Sequence, residues 1–380
     1  MAIATLEDRL VAVSGRGPGY NLIRLIAATT VLLHHCMLAT HDLRDPLFVF
    51  SHGFLHFGIL AVIVFFAISG FLVTPGLQRG GLVAYGVNRT IRIFPALFTV
   101  VLASAFVLGP ALTKLSWRRY IADPELYRYL KNALTLTSNY LPGLTGDDGM
   151  PIVVNGALWT LHFEVLSYIA LAVLSVVGAL RSRKAFAVVI AVTYSIYLMI
   201  AFAHPFASHL PSRFVTFIGL FVYFAAGSAL LIFRDRVPYS AALAVTGMAL
   251  TIATLPFGLG PVLLPICLPY AVVVLGLGPW LGHVPIKQDV SYGIYLIHTP
   301  VLVLLISVLG LPAQWALLAV MTLIATTLLA YLSRVLVEDP TLRYKKSISE
   351  WINARLAFMK PLERRALKSE RSPVSAGKPR

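Results

Sequence analysis

The chain has 380 residues, of which 58% are hydrophobic and only 12% charged, and its mean hydropathy is +0.81. A soluble domain carries about 25% charged residues, so this composition excludes soluble enzyme folds and predicts an all-α integral membrane protein. The net charge of +15, from 31 Lys+Arg against 16 Asp+Glu, lies mostly in short loops and one tail, which fits an anionic lipid surface and not nucleic acid.

Runs of about 20 apolar residues are long enough to cross a bilayer. They fall at 20–40, 54–74, 91–111, 156–179, 185–203, 213–233, 239–257, 260–281, 290–309 and 313–336. This predicts a ten-helix membrane domain over 20–338, preceded by a cytoplasmic segment 1–19 and followed by a basic tail 339–380. The tail carries eleven Lys/Arg against four Asp/Glu, and its last dozen residues, rich in Ser, Pro, Gly, Lys and Arg, read as disordered. With the N-terminus inside, 24 of the 31 basic residues are cytoplasmic; the other seven are Arg44, Lys114, Arg118, Arg119, Arg128, Lys131 and Arg213. The positive-inside rule therefore puts both termini in the cytoplasm of a plasma or inner membrane. The first run lacks a small-residue cleavage site and reads as a retained helix. Tyr127–Leu141 is too short to span and is expected to be interfacial or re-entrant within the 112–155 loop, the one long outer loop. Cys36 and Cys267 sit in apolar stretches, where they set up neither a disulfide framework nor a metal spacing.

Ionisable residues inside hydrocarbon carry the functional signal, because each costs about 2.5–3.5 kcal/mol on insertion scales. Among the carboxylates only Glu164 falls well inside a predicted span; it either faces substrate or pairs with an arginine to fix helix register. In the first span, Arg24 and His35 are eleven residues apart. That spacing is about 20° past three full turns and about 16 Å along the axis, so the two share a face. Histidine removes a hydroxyl proton near neutral pH, so an imidazole on an arginine face suggests general-base chemistry. His34 lies beside it, and the spacing favours His35. Arg89 and Arg92, three apart at the mouth of the third span, suit bidentate phosphate recognition or ordinary positive-inside anchoring. Ser69-Gly70 permits close helix approach, and His298 in the ninth span is a further imidazole that serves packing or function. Phosphate-cradling glycine loops, the P-loop lysine motif, zinc spacings and the Gly-x-Ser-x-Gly elbow do not occur.

Six stretches in order carry a family likeness. They are Arg24, Ala27, Val31 and His35; Phe65 to Thr74; Arg89, Arg92 and Pro95; Asn155 to Glu164 with Trp159; Ser291, Tyr292, Tyr295 and His298; and Glu338-Asp339-Pro340. Together they resemble the membrane-bound acyltransferase family 3, whose members O-acetylate surface polysaccharides, Nod factors, peptidoglycan and some macrolides. The chain departs from it in two ways. It ends about 40 residues after the last span, so no fused esterase-like domain is expected, and Asn21 stands where many members have Asp.

The resemblance implies transfer of an acyl group, acetyl being the expected one, from cytoplasmic acyl-CoA as co-substrate to a hydroxyl of a sugar or glycoconjugate, free or lipid-linked, with no metal. Arg89, Arg92 and Arg24 are then expected to hold the CoA phosphates, and His35 to act as base. Glu164 would orient that imidazole or bind substrate. Asn155, Trp159 and Tyr292 are candidate oxyanion donors and, with His298, candidate substrate contacts. Trp117, Tyr120, Tyr127, Tyr129, Tyr140, Asp147 and Asp148 of the outer loop form either a sugar grip or an aromatic belt. The competing class is a multi-pass secondary transporter of a small or lipid-linked polar substrate, which the lack of a visible internal repeat disfavours.

Overall fold

The computed structural model describes residues 4–355 apart from 16, 41–44, 147, 204–206, 285, 287 and 311–313. Arg44, Asp147 and the last dozen residues of the tail, on which parts of the sequence reading fall, lie outside the described residues. Among those described, every regular element is helical and no strand forms. Hydrocarbon offers the backbone no water, and a helix satisfies its amides within one segment.

The bundle consists of α1 (Tyr20–Thr40), α2 (Phe57–Ala103), α3 (Trp159–Val176), α4 (Arg183–Phe202), α5 (Ser212–Ile232), α6 (Ala241–Thr254), α7 (Gly260–Leu277), α8 (Ser291–Leu309) and α9 (Trp315–Ser333). Eight described helices are long and apolar enough to cross a membrane. One of them, Phe57–Leu112, runs for 56 residues and is broken at Gly81, whose φ of 72° and ψ of 175° no helix contains. Ser69 and Arg92, on opposite sides of that break, line one cavity, whereas a straight helix would hold them about 34 Å apart. The element is therefore two arms that fold back on each other, and they correspond to the second and third apolar runs of the sequence. The seventh run falls on the shorter apolar helix Ala241–Phe257. Each of the ten runs thus lies on a helix.

Helices α5 and α2 pack at glycine contacts on both sides. A Cβ on Gly70 would meet the Phe224 carbonyl oxygen at 1.9 Å, and one on Gly227 would meet that of Ala67 at 2.1 Å. Ser228 Oγ donates to the Gly70 carbonyl at 3.2 Å. Close approach of this kind replaces the hydrophobic drive that lipid cannot supply between helices. It also fixes the arm of α2 that carries Ser69.

The two ends differ in chemistry. At one end a short helix, Leu6–Ala12, is closed by a Thr5/Asp8 capping box and docks by Arg9 Nε donating to the Leu277 carbonyl at 2.9 Å. At the same end α9 passes through a π-turn, Arg334–Glu338, and continues helical, so that Trp315–Arg355 forms one run of 41 residues. The first part of the basic tail is therefore helical. At the other end the 113–156 segment folds into short helices, Trp117–Ala122 and Pro124–Leu130, too short to cross.

The outer-loop aromatics divide by burial. Tyr120 and Tyr129 are fully buried, while Trp117, Tyr127 and Tyr140 are exposed. Tyr120 is held by its hydroxyl donating to the Ala105 carbonyl at 2.6 Å. Asp148 accepts from the Met150 amide in a local turn. Two of the expected sugar contacts are thus core anchors, and none of the described ones lines the large cavity at this end.

Candidate active site

Three helices bring the chemistry together, each by its own period. Along α1, Arg24 and His35 mark two levels about 16 Å apart. On α8, Tyr292, Tyr295 and His298 step up one face in rises of about 4.5 Å. On α3, the residues from Trp159 through Thr160, Glu164 and Tyr168 run the opposite way. The result is two cavities stacked on one axis. The lower, about 80 Å³, is lined by Arg24, Arg89, Arg92, Ser69, Glu164 and Tyr292 among others. The upper, about 1020 Å³, is lined by His34, His35, Asp45, His56, Gly156 and Trp159 among others. Val62, Thr160 and Tyr295 line both.

At the lower level the arginines are not equivalent. Asp289, just before α8, accepts from Arg92 Nη2 at 2.8 Å and Arg24 Nη1 at 3.4 Å. Burial alone would raise the Asp289 pKa, but the Arg92 and Arg24 guanidiniums and two hydrogen bonds from Ser291 outweigh it and hold the carboxyl below its ordinary range. Glu338, positioned by the π-turn, pairs with Arg92 at 3.4 Å and Arg334 at 3.2 Å. Arg89 forms no ion pair among the described residues and its buried Nε lacks a hydrogen-bond partner; its guanidinium lies 5.6 Å over the Tyr168 ring. Of the three arginines expected to hold phosphate, Arg89 is therefore the one without a carboxylate partner among the described residues. Arg24 and Arg92 are first of all partners of Asp289.

Glu164 accepts from the hydroxyls of Tyr168 and Ser69 at this lower level. His35 is oriented by other groups, which corrects the expectation that Glu164 aligns it. His35 Nδ1 lies 2.9 Å from the Val31 carbonyl and 3.3 Å from His298 Nε2. A carbonyl only accepts, so Nδ1 carries the proton and Nε2 is bare. That Nε2 points toward Gly156, where a Cβ would sit 3.7 Å away, and His35 and Gly156 both line the upper cavity. His298 is fully buried. Its Nδ1 donates to the Ile294 carbonyl at 3.1 Å, leaving Nε2 to accept from His35 and from Thr299 Oγ1 at 3.1 Å. His298 consequently positions His35 and does not reach into the cavity as a substrate contact would.

The structure also separates the two adjacent imidazoles. His34 Nδ1 bonds Asp45 Oδ2 at 3.0 Å, and the ring packs on Gly58, where a Cβ would clash at 2.5 Å. Asp45, His34 and His56 are the one group among the described residues whose ligand atoms converge, within 4.8 Å. Both Nδ1 atoms and the carboxylate are already engaged. Asp45 accepts from the Leu47, Phe48 and Phe57 amides, and His56 Nδ1 accepts from the Ile59 amide. The two rings stack at 4.4 Å and 13°, so neither plane presents a lone pair to a shared ion. Burial lowers the His56 pKa and Asp45 raises it back only in part. The trio is a hydrogen-bonded clamp at the head of α2.

The remaining expected contacts are placed as follows. Asn155 is fully buried; its Nδ2 donates to the Leu296 carbonyl at 2.9 Å and its Oδ1 accepts from the Ala157 amide at 3.2 Å. Tyr292 donates to the Ile93 carbonyl at 2.8 Å. Both polar groups are committed to tying elements together, which corrects their reading as oxyanion donors. Trp159 does line the upper cavity. Sequence reading missed Asp289, Asp45 and the Thr160–Tyr295 contact. The signal for Asp289 was Asn21: with no carboxylate on its own helix, Arg24 had to find one elsewhere.

Comparison with known proteins gives the same direction. A model of the acyltransferase domain family, Acyl_transf_3, matches residues 18–335. Nodulation protein 10 of Rhizobium leguminosarum bv. viciae is 29% identical over 363 residues, covering 88% of this chain and 96% of that protein. The O-acetyl transferase of Shigella phage Sf6 is 28% identical over 333 residues, covering 84% of this chain and 94% of that protein. No solved structure matches the chain. With the family model spanning every helix that builds the two cavities, the chain belongs to the acyltransferase 3 family and is a multi-pass membrane acyltransferase.

Proposed function

We propose that the protein is an O-acyltransferase of the cytoplasmic (plasma or inner) membrane that moves an acetyl group from acyl-CoA to a hydroxyl of a glycan or glycoconjugate. The observation that carries this reading is the bare Nε2 of His35, held by Val31 and His298 and aimed into the large upper cavity. The family assignment disfavours the transporter alternative, and the O-acetyl transferase relative supports O-acyl transfer.

The arginine end faces the cytoplasm on this reading, with both chain termini, because the positive-inside rule counts most Lys and Arg there. Acyl-CoA enters from that end, and Arg89, without a carboxylate partner among the described residues, meets its phosphates. The acceptor enters the upper cavity, whose wall includes Trp159 and the four histidines His34, His35, His52 and His56. Its hydroxyl proton passes to His35 Nε2 as its oxygen attacks the thioester carbonyl. Collapse of the tetrahedral adduct breaks the C–S bond, and the imidazolium returns the proton to the departing thiolate. The Nδ1–H contacts strengthen when the ring becomes cationic, so they favour the transition state over the ground state.

The test is release of free CoA from acetyl-CoA by purified protein in detergent, with a sugar acceptor, for wild type, His35→Ala and Arg89→Ala. His35→Ala is expected to lose about 10²–10⁴-fold in turnover, the usual contribution of a general base. Arg89→Ala is expected to raise KM for acetyl-CoA by about 10- to 150-fold, the loss of one charge-assisted contact of 1.5–3 kcal/mol. A wild type that binds no acetyl-CoA would sink the donor assignment.

A further inference from the structure

The lower and upper cavities meet at a single partition. Thr160 Oγ1 and the Tyr295 hydroxyl are hydrogen-bonded to each other. Tyr295 also donates to the Ala157 carbonyl at 2.9 Å, with Thr160 Oγ1 3.2 Å from the same oxygen. Phe65, which lines the lower cavity, meets the Tyr295 ring edge to face at 5.8 Å between centroids. Val62 completes the contact, and Val62, Thr160 and Tyr295 are all buried.

We propose that the Tyr295–Thr160 pair, backed by Val62 and Phe65, is a gate between the donor and acceptor cavities that restricts the transferred group to a short acyl chain. This rests on the acyl-CoA reading given above. The arginines lie below the partition and the reactive imidazole above it, so an acyl group delivered from the arginine side must pass these side chains to meet His35. The lower cavity, about 80 Å³ against about 1020 Å³ for the upper one, is the narrow part of that path. An acetyl group adds only three heavy atoms to the thioester sulfur, whereas each further methylene must pass between the Phe65 and Tyr295 rings that line this narrow part.

The latch also has the chemistry to answer the acceptor. Tyr295 and Thr160 share their hydroxyl protons with one backbone oxygen, so an incoming hydroxyl in the upper cavity can replace either partner without leaving a buried group unpaired. The gate then opens when the acceptor arrives, and the thioester is shielded from water until it does. Tyr295 and His298 share one turn of α8, with ring centroids 6.2 Å apart, so the gate and the support of the base move on the same element.

The experiment compares wild type with Tyr295→Ala, Tyr295→Phe and Thr160→Ala, using acetyl-, butyryl- and octanoyl-CoA, with and without acceptor. A hydrophobic restriction discriminates about 10- to 200-fold per methylene, so wild type should reject octanoyl-CoA. Tyr295→Ala should accept longer chains and hydrolyse acetyl-CoA without acceptor. Tyr295→Phe and Thr160→Ala keep most of the packing and should raise acceptor-independent hydrolysis with a smaller change in chain-length preference. Folded variants with the wild-type chain profile and no added hydrolysis would overturn the gate. If wild type binds no acyl-CoA, the donor reading fails, and the gate is judged by an impermeant thiol reagent on Ser69→Cys in sealed vesicles. Labelling from the histidine side only in the Tyr295→Ala background supports the gate; equal labelling with and without that change overturns it.

Discussion

Replacing His298 by Ala removes one of the two acceptors that hold His35 Nδ1–H, the one at 3.3 Å, and leaves the Val31 carbonyl at 2.9 Å. The tautomer therefore survives. A neutral hydrogen bond is worth about 0.5–1.5 kcal/mol and one to a charged group about 1.5–3 kcal/mol. The gain of about 1–1.5 kcal/mol, realised only when His35 becomes an imidazolium, is what His298 supplies to the transition state. At 1.4 kcal/mol per decade, His298→Ala should lower kcat by about 5- to 12-fold and leave KM for acetyl-CoA unchanged. Because His298 acts through His35, the double variant should be no slower than His35→Ala. The assay is CoA release under saturating acetyl-CoA, with thermal unfolding in detergent as a control, since the ring is fully buried. His298→Asn, which refills part of the space, separates packing from positioning. Multiplicative losses in the double variant, or an effect that falls on KM, would refute the dyad.

Two further outcomes test the frame around the site. Asp289→Asn leaves Arg24 and Arg92 facing each other without their shared counter-ion. It should cost about 3 kcal/mol, the low end for breaking a buried pair, because side-chain exposures of 22% and 25% let water reach both guanidiniums. The Asp289 pKa is depressed in the fold, so its stabilisation is present above the unfolded carboxyl pKa and is lost as pH falls through the folded one. The gap in Tm between wild type and Asp289→Asn should hold steady from about pH 5 to 8 and close only below about pH 4. Gly70→Ala drives a Cβ to 1.9 Å from a backbone oxygen; at or above the upper end of overpacking, about 3 kcal/mol, it should abolish a monodisperse detergent-solubilised species by size exclusion.

Hydropathy by itself determined that the chain is a helical membrane protein and where its helices lie, because bilayer thickness and backbone satisfaction leave few alternatives. The 3.6-residue period put Arg24 and His35 on one face, and Ser69-Gly70 announced the close approach to α5. These are properties of a single helix or of a single contact between glycines, and they are local in sequence. Tertiary structure decided which groups face one another. Arg24 finds Asp289 across 265 residues, His35 leans on His298 across 263, and Thr160 meets Tyr295 across 135. No spacing rule reaches that far, so Asn155 and Tyr292 were assigned chemistry that the fold spends on tying elements together, while Glu164 faces the lower cavity and not His35. Burial then did the sorting: most polar groups that line the two cavities are tied to a partner, and Arg89, with no carboxylate and an unbonded Nε, and His35 Nε2 are among those left to face them.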